Sequence, residues 1–113
     1  MYDKDKYVDL GFEVDLVIER VGKEDFFYKL IPVFVEELKI RLEELKKERK
    51  RYNYKKCKSH LHSIVGTAIT VGHRKLYEKS VKLDNYLAMD ERKAFRNEIE
   101  QYFEYCSDLL SKL

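Results

Sequence analysis

His62 stands four residues before Gly66 and ten before Gly72, in the run His62-Ser63-Ile64-Val65-Gly66-Thr67-Ala68-Ile69-Thr70-Val71-Gly72. A neutral imidazole is a nucleophile near pH 7, and an exposed one can take a phosphoryl group as a phosphoramidate and pass it on. Such transfer depends on positioning and on stabilising charge at the equatorial oxygens more than on elaborate acid–base groups. Lys58, one turn before His62, and Lys55, two turns before it, are candidates for part of that positive charge. Glycine inside a helix costs about 1 kcal/mol relative to alanine, so Gly66 implies that something approaches the backbone closely there. Val65 and Ile69 beside it offer apolar docking contacts. The sequence suggests no metal cluster, so any Mg²⁺ is expected to arrive with a partner.

These roles require the run to be helical and His62 to face outward. At about 100° per residue, Cys57, Leu61, Ile64, Ala68 and Val71 share one narrow core sector, and His62 falls roughly 140° from its centre. Lys55, Lys58, Val65, Gly66 and Ile69 lie on the side of His62. Asn53 is a plausible N-cap for this helix, which runs to Val71 before Gly72.

Four further helices and no strand follow from the periodicity. Leu10 to Val21 reads as a short first helix stopped by Gly22. From about Glu24 to Lys47, Phe27, Ile31, Phe34, Leu38 and Leu45 form one stripe with Leu42 at its edge, and Phe26, Leu30, Val33 and Ile40 form a second line expected to widen the buried face. Pro32 should kink this helix or delay its start. Arg74 to Leu87 carries Leu76, Ser80, Leu83 and Leu87 at heptad spacing. Asp90 is placed to cap a last helix with the stripe Phe95, Ile99, Tyr102, Cys106, Leu109 and Leu113. The expected fold is all-α: residues 1–113 form a single domain, an antiparallel up-down-up-down four-helix bundle with a short additional N-terminal helix.

Composition narrows the function. The chain of 113 residues, with 44% apolar and 39% charged side chains, one proline and four glycines, is neither disordered nor loop-rich. Its 23 basic and 21 acidic residues leave a net charge of +2, which argues against a dedicated nucleic-acid binder. The start Met1-Tyr2-Asp3-Lys4-Asp5-Lys6 lacks the apolar stretch of a signal peptide, and no long apolar run suggests a membrane span, so a cytoplasmic location is expected. Met1 and the helical end at Leu113 lean toward a free-standing protein. Cys57 and Cys106 read as reduced, buried small hydrophobes. Lys46 to Arg51 reads as the solvated end of a helix, and the nine tyrosines and six phenylalanines as core residues rather than a base-stacking platform.

The pattern His62-x-x-x-Gly66-Thr67-Ala68-x-x-Val71-Gly72, followed by a helix with Leu76 and Lys82-Leu83-Asp84, resembles the histidine-containing phosphotransfer (HPt) domain of bacterial multistep phosphorelays. That family's usual motif is His-x-Leu-Lys-Gly-Ser-Ala-x-x-Leu-Gly. The segment from Arg20 to Leu38 is similar to the family's helix leading into the motif. The resemblance implies a four-helix bundle that shuttles phosphoryl groups between aspartates of receiver domains. His62 would be acceptor and donor, and the partners would be the receivers of a hybrid sensor kinase and a response regulator. It further implies a carrier rather than an independent catalyst, without its own cofactor. From charge and hydropathy no nucleic-acid or membrane partner is expected, and a monomer is expected, with a dimer through a wide apolar stripe as the alternative. One position departs from the pattern: Val65 replaces the family's usual lysine, for which Lys58 is the expected substitute.

His60, about 60° from the core centre, is expected to be packed or half-buried. His73 follows Gly72 at a helix boundary, where a solvent-facing or carbonyl-capping role is ordinary. The runner-up function is a helical adaptor that binds a receiver or kinase through the same face without being phosphorylated. A metal-dependent bundle enzyme built on Glu36-Glu37 and Glu43-Glu44 is a weaker third, because no Glu-x-x-His partner accompanies them.

Overall fold

A computed structural model describes residues 2–113. They form six α-helices: α1 (Lys4–Asp9), α2 (Val14–Val21), α3 (Glu24–Lys50), α4 (Tyr54–Val71), α5 (Arg74–Ala88) and α6 (Arg92–Ser111). The class expected from periodicity, all-α, is what the chain adopts. No helix is long and apolar enough to cross a membrane among the described residues.

The N-terminus differs from expectation. In place of one helix from Leu10 there are two, because Asp3 accepts a hydrogen bond from the Lys6 amide and starts α1 early, while Leu10 to Glu13 turn the chain before α2. α3 neither starts late nor stops at Pro32. That proline removes a bond to the Tyr28 carbonyl, at a helix-interior cost of about 3 kcal/mol. Phe27 and Ile31 before it and Phe34, Leu38, Leu42 and Leu45 beyond it are all buried. At about 1.5–3 kcal/mol for each such side chain, burial outweighs the proline.

The second line on α3 is a correction. Phe26, Val33 and Ile40 are exposed, Val33 at 64%, and Leu30 is half-buried. Phe26, Val33 and Ile40 lie roughly 110–160° round the helix from the core stripe, beyond the cover of the neighbouring helices, whereas Leu30, about 80° round, packs partly against the core. A correction also applies to Asp90. It sits in the connection with φ +56° and pairs with Arg92 at 2.9 Å, and Glu91 occupies the N-cap of α6 without a side-chain cap bond.

α4 lies between α3 and α5, and α5 packs on α6. α6 reaches α3 through an Arg49–Glu100 ion pair and through Lys46, whose ammonium lies 5.4 Å from the Phe103 ring centre. The core side of α4 is the expected set: Cys57, Leu61, Ile64, Ala68 and Val71 are all buried. Between α5 and α6 the buried Ser80 and Tyr102 hydroxyls satisfy one another at 2.8 Å.

The α4–α5 corner is pinned to the N-terminal segment. Gly72 adopts φ +73°, its carbonyl accepts from the Glu13 amide at 2.9 Å, and a Cβ there would meet Val17 Cγ2 at 2.7 Å. Only glycine fits both the backbone angle and the space. His73, expected to face solvent or cap a carbonyl, is 1% exposed. Its Nδ1 accepts from the Leu76 amide at 3.2 Å, capping α5, and its Nε2 lies 2.8 Å from the Leu10 carbonyl. Those two partners define one tautomer, with the proton on Nε2 donated to Leu10. The ring packs edge-on against Phe12 at 4.7 Å, and burial lowers its pKa, keeping it neutral.

Candidate functional site

α4 presents His62 on the ridge opposite its buried stripe, and the imidazole is 77% exposed. It does not stand alone. Asp84 of α5 places Oδ2 3.5 Å from His62 Nδ1 and Oδ1 3.1 Å from Lys58 Nζ. The Asp84 carboxylate is only 14% exposed, and the Lys58 contact is an ion pair without hydrogen-bond alignment. One partly buried anion thus holds two groups of α4 from the neighbouring helix. The Nδ1 contact is long, and it favours a proton on Nδ1 facing the carboxylate, which leaves the Nε2 lone pair for an incoming group.

Lys58, expected to stand near His62, does so through Asp84. Lys55 lies on the same side but seven residues earlier, about 10 Å along the axis, and makes no ion pair among the described residues. Asp84 was legible only as part of the Lys82-Leu83-Asp84 likeness. A single aspartate following a core leucine looks like any solvated charge until the helices are packed.

The proposed docking residues occupy two sides of the ridge. Gly66 is open: no atom lies within 4 Å of the position a Cβ would take. It borders a groove of about 510 Å³ between α3 and α4, lined by Leu30, Val33, Phe34 and Thr67 among others. The hydroxyls of Ser63, Thr67 and Thr70 bond back to the carbonyls of Ser59, Ser63 and Gly66 at 3.0–3.2 Å, so the polar residues of α4 satisfy themselves and leave the groove accessible to apolar contact. Ile69 is exposed on the other side, where it lines a shallow cleft with Leu16, Arg20 and Tyr77, and its carbonyl accepts from Arg20 at 3.1 Å. Val65 is half-buried one turn from His62.

The other candidates separate from this site. His60 is half-buried toward α3, where Nδ1 lies 3.3 Å from Arg41, itself paired with Glu37 at 3.0 Å. Cys57 and Cys106 are buried and unpaired, and burial pushes their thiols up to about 11 and about 12, where they have little thiolate at pH 7. Among the described residues no three His, Cys, Asp or Glu side chains gather as a metal-ligand set. The chain matches no protein-family model, no curated protein and no solved structure.

Proposed function

We propose that the chain is a histidine phosphotransfer domain that carries a phosphoryl group on His62 Nε2 between receiver-domain aspartates. The observation that supports this reading most is the exposed imidazole on α4 whose Nδ1 lies 3.5 Å from Asp84, with no hydrogen-bond partner on Nε2 among the described residues. In this reading α3 to α6 form an up-down-up-down four-helix bundle, joined by the short connections 51–53, 72–73 and 89–91, with α1 and α2 packed at one end.

The Nε2 lone pair attacks the phosphorus of an aspartyl phosphate. The N–P bond forms as the bond to the carboxyl oxygen breaks, and the receiver keeps the carboxylate. The ring retains its Nδ1 proton and becomes cationic, and Asp84 offsets that charge. Transfer to the second receiver reverses these steps. Lys58, one turn from His62, supplies positive charge once it leaves Asp84 for the phosphoryl oxygens, in the role Val65 does not fill. The receiver brings Mg²⁺ and the acidic site that holds it, so this chain is a carrier and not an independent catalyst. Val65, Gly66 and Ile69 form the docking face, and the glycine lets the partner close over the ring. Docking is weak and transient because a relay must release each partner.

Intact mass after incubation with phosphoramidate or a phosphorylated receiver, held at alkaline pH, tests the reading. One phosphoryl group is expected on the parent and on His60→Gln, and none on His62→Gln. A parent that binds a receiver but never gains the adduct would instead be an adaptor.

A further inference from the structure

The starts of the helices differ in charge between the two ends of the molecule. α1, α2 and α3 carry Asp5, Asp15 and Glu24 with Asp25 in their first turns, where the positive end of the helix dipole favours acid. α5 has no acid there, but Glu13 reaches Arg74 at 3.4 Å from outside. α4 and α6 have none either, and open with Tyr54-Lys55-Lys56 and Arg92-Lys93, with Arg96 one turn on. Their first turns touch: Arg96 donates to the Tyr54 hydroxyl at 3.2 Å, and the Arg92 guanidinium lies 4.7 Å from the centre of the Tyr54 ring. The lysines and arginines at the end of α3 suit its dipole, and Glu91 at the N-cap of α6 with Asp90 on Arg92 offsets the cations there, whereas Lys55 and Lys56 at the start of α4 oppose its dipole with no acid beside them.

Between these turns lies a cleft of about 300 Å³ lined by Arg49, Lys50, Tyr52, Tyr54 and Arg96, with no acidic residue in its wall. Glu100 pairs with Arg49, yet the Arg49 Nε is buried without a hydrogen-bond partner. Lys50 and Arg96 enter no ion pair among the described residues. Tyr52 adds a second anomaly. It occupies the left-handed position after α3, with φ +55°, where glycine or asparagine is usual, and the residue is 72% exposed. The turn itself closes the end of α3, where the Asn53 amide donates to the Glu48 carbonyl at 3.0 Å, just as the turn at Asp90 closes α5, so the feature that packing leaves unexplained is the tyrosine ring in water.

We infer that this cleft binds a nucleoside phosphate, the base stacking on Tyr52 and the phosphate meeting Lys50, Arg96 and Arg49. An exposed aromatic face beside two cations without an ion pair, Lys50 and Arg96, is the combination that recognises a base on a phosphate. The cleft is at the small end of ligand pockets, the size of one nucleotide. A near-neutral chain does not favour a track for a nucleic-acid strand. The site lies eight residues below His62 on α4, about 12 Å along the axis, and does not depend on phosphotransfer.

The experiment is a titration of the full chain at low salt with ATP, AMP, inorganic phosphate and a ten-residue oligothymidylate, followed by amide NMR shifts. ATP and AMP are expected to move the amides of Lys50, Tyr52 and Tyr54. Tyr52→Gly, which relieves the backbone angle and so should not lower the unfolding midpoint, is expected to weaken ATP about tenfold. Lys50→Gln should weaken it with the fold intact. The inference is overturned if millimolar ATP moves none of these amides, or if Tyr52→Gly binds as well as the parent. Inorganic phosphate binding as tightly as ATP, or the oligonucleotide binding more tightly than either nucleotide, would equally overturn it.

Discussion

His62 and His73 are eleven residues apart and flank the same apolar run, yet the fold uses them in opposite ways. His73 is sealed into the α4–α5 corner with both ring nitrogens engaged, whereas His62 stands in solvent with Nδ1 alone near a partner. The two glycines follow the same division. At Gly72 an added methyl collides with buried Val17, and at Gly66 it meets nothing. The corner is built for stability and the ridge for access. No intramolecular contact requires a glycine at Gly66, and the proposed function accounts for it by the partner that closes over His62.

Stability measurements can break that contrast. His73→Ala should cost the most, about 3 kcal/mol in denaturant unfolding, because it strands the Leu10 carbonyl and the Leu76 amide and leaves a cavity against Phe12. Gly72→Ala should follow at about 2 kcal/mol, the sum of a left-handed alanine and the Val17 clash. If either substitution proves neutral, the corner is not the clamp described.

Acid should act through the same clamp. Burial lowers the His73 pKa, so the folded state keeps it neutral while the unfolded chain protonates below about pH 6.5. Its contribution is complete above that pH and falls as the pH drops, by at most about 1.4 kcal/mol per unit. The parent should therefore lose more stability between pH 7 and 5 than His73→Gln does.

The ridge should behave in reverse. Gly66→Ala is expected to stabilise the protein by up to about 1 kcal/mol while weakening receiver docking, measured as slower phosphoryl uptake. His62→Gln should leave stability within about 0.5 kcal/mol of the parent, since the side chain is mostly in water. A large loss of stability in His62→Gln would remove the distinction between the two histidines.

Much of the scaffold was legible from residue spacing. The five buried positions of α4, the caps at Asn53 and Gly72 and the outward direction of His62 follow from helical geometry alone. The second line on α3 was not legible, because apolar spacing marks Phe26, Val33 and Ile40 as capable of burial and cannot say whether a neighbour covers them. Likewise α1 was missed, since a helix of six residues held by Asp3 has no apolar stripe to detect.

The sequence by itself determined the five longer helices and the face each of their residues occupies, because a helix sets the relation between residues three and four apart without help from the rest of the chain. Only the tertiary structure decided that Asp84 meets His62 and Lys58 across 22 and 26 positions of chain, that His73 is buried beneath the N-terminal segment, and that Tyr52 faces a cationic cleft. Such contacts depend on how separate helices rotate and pack, and that is fixed by the burial of all their stripes at once.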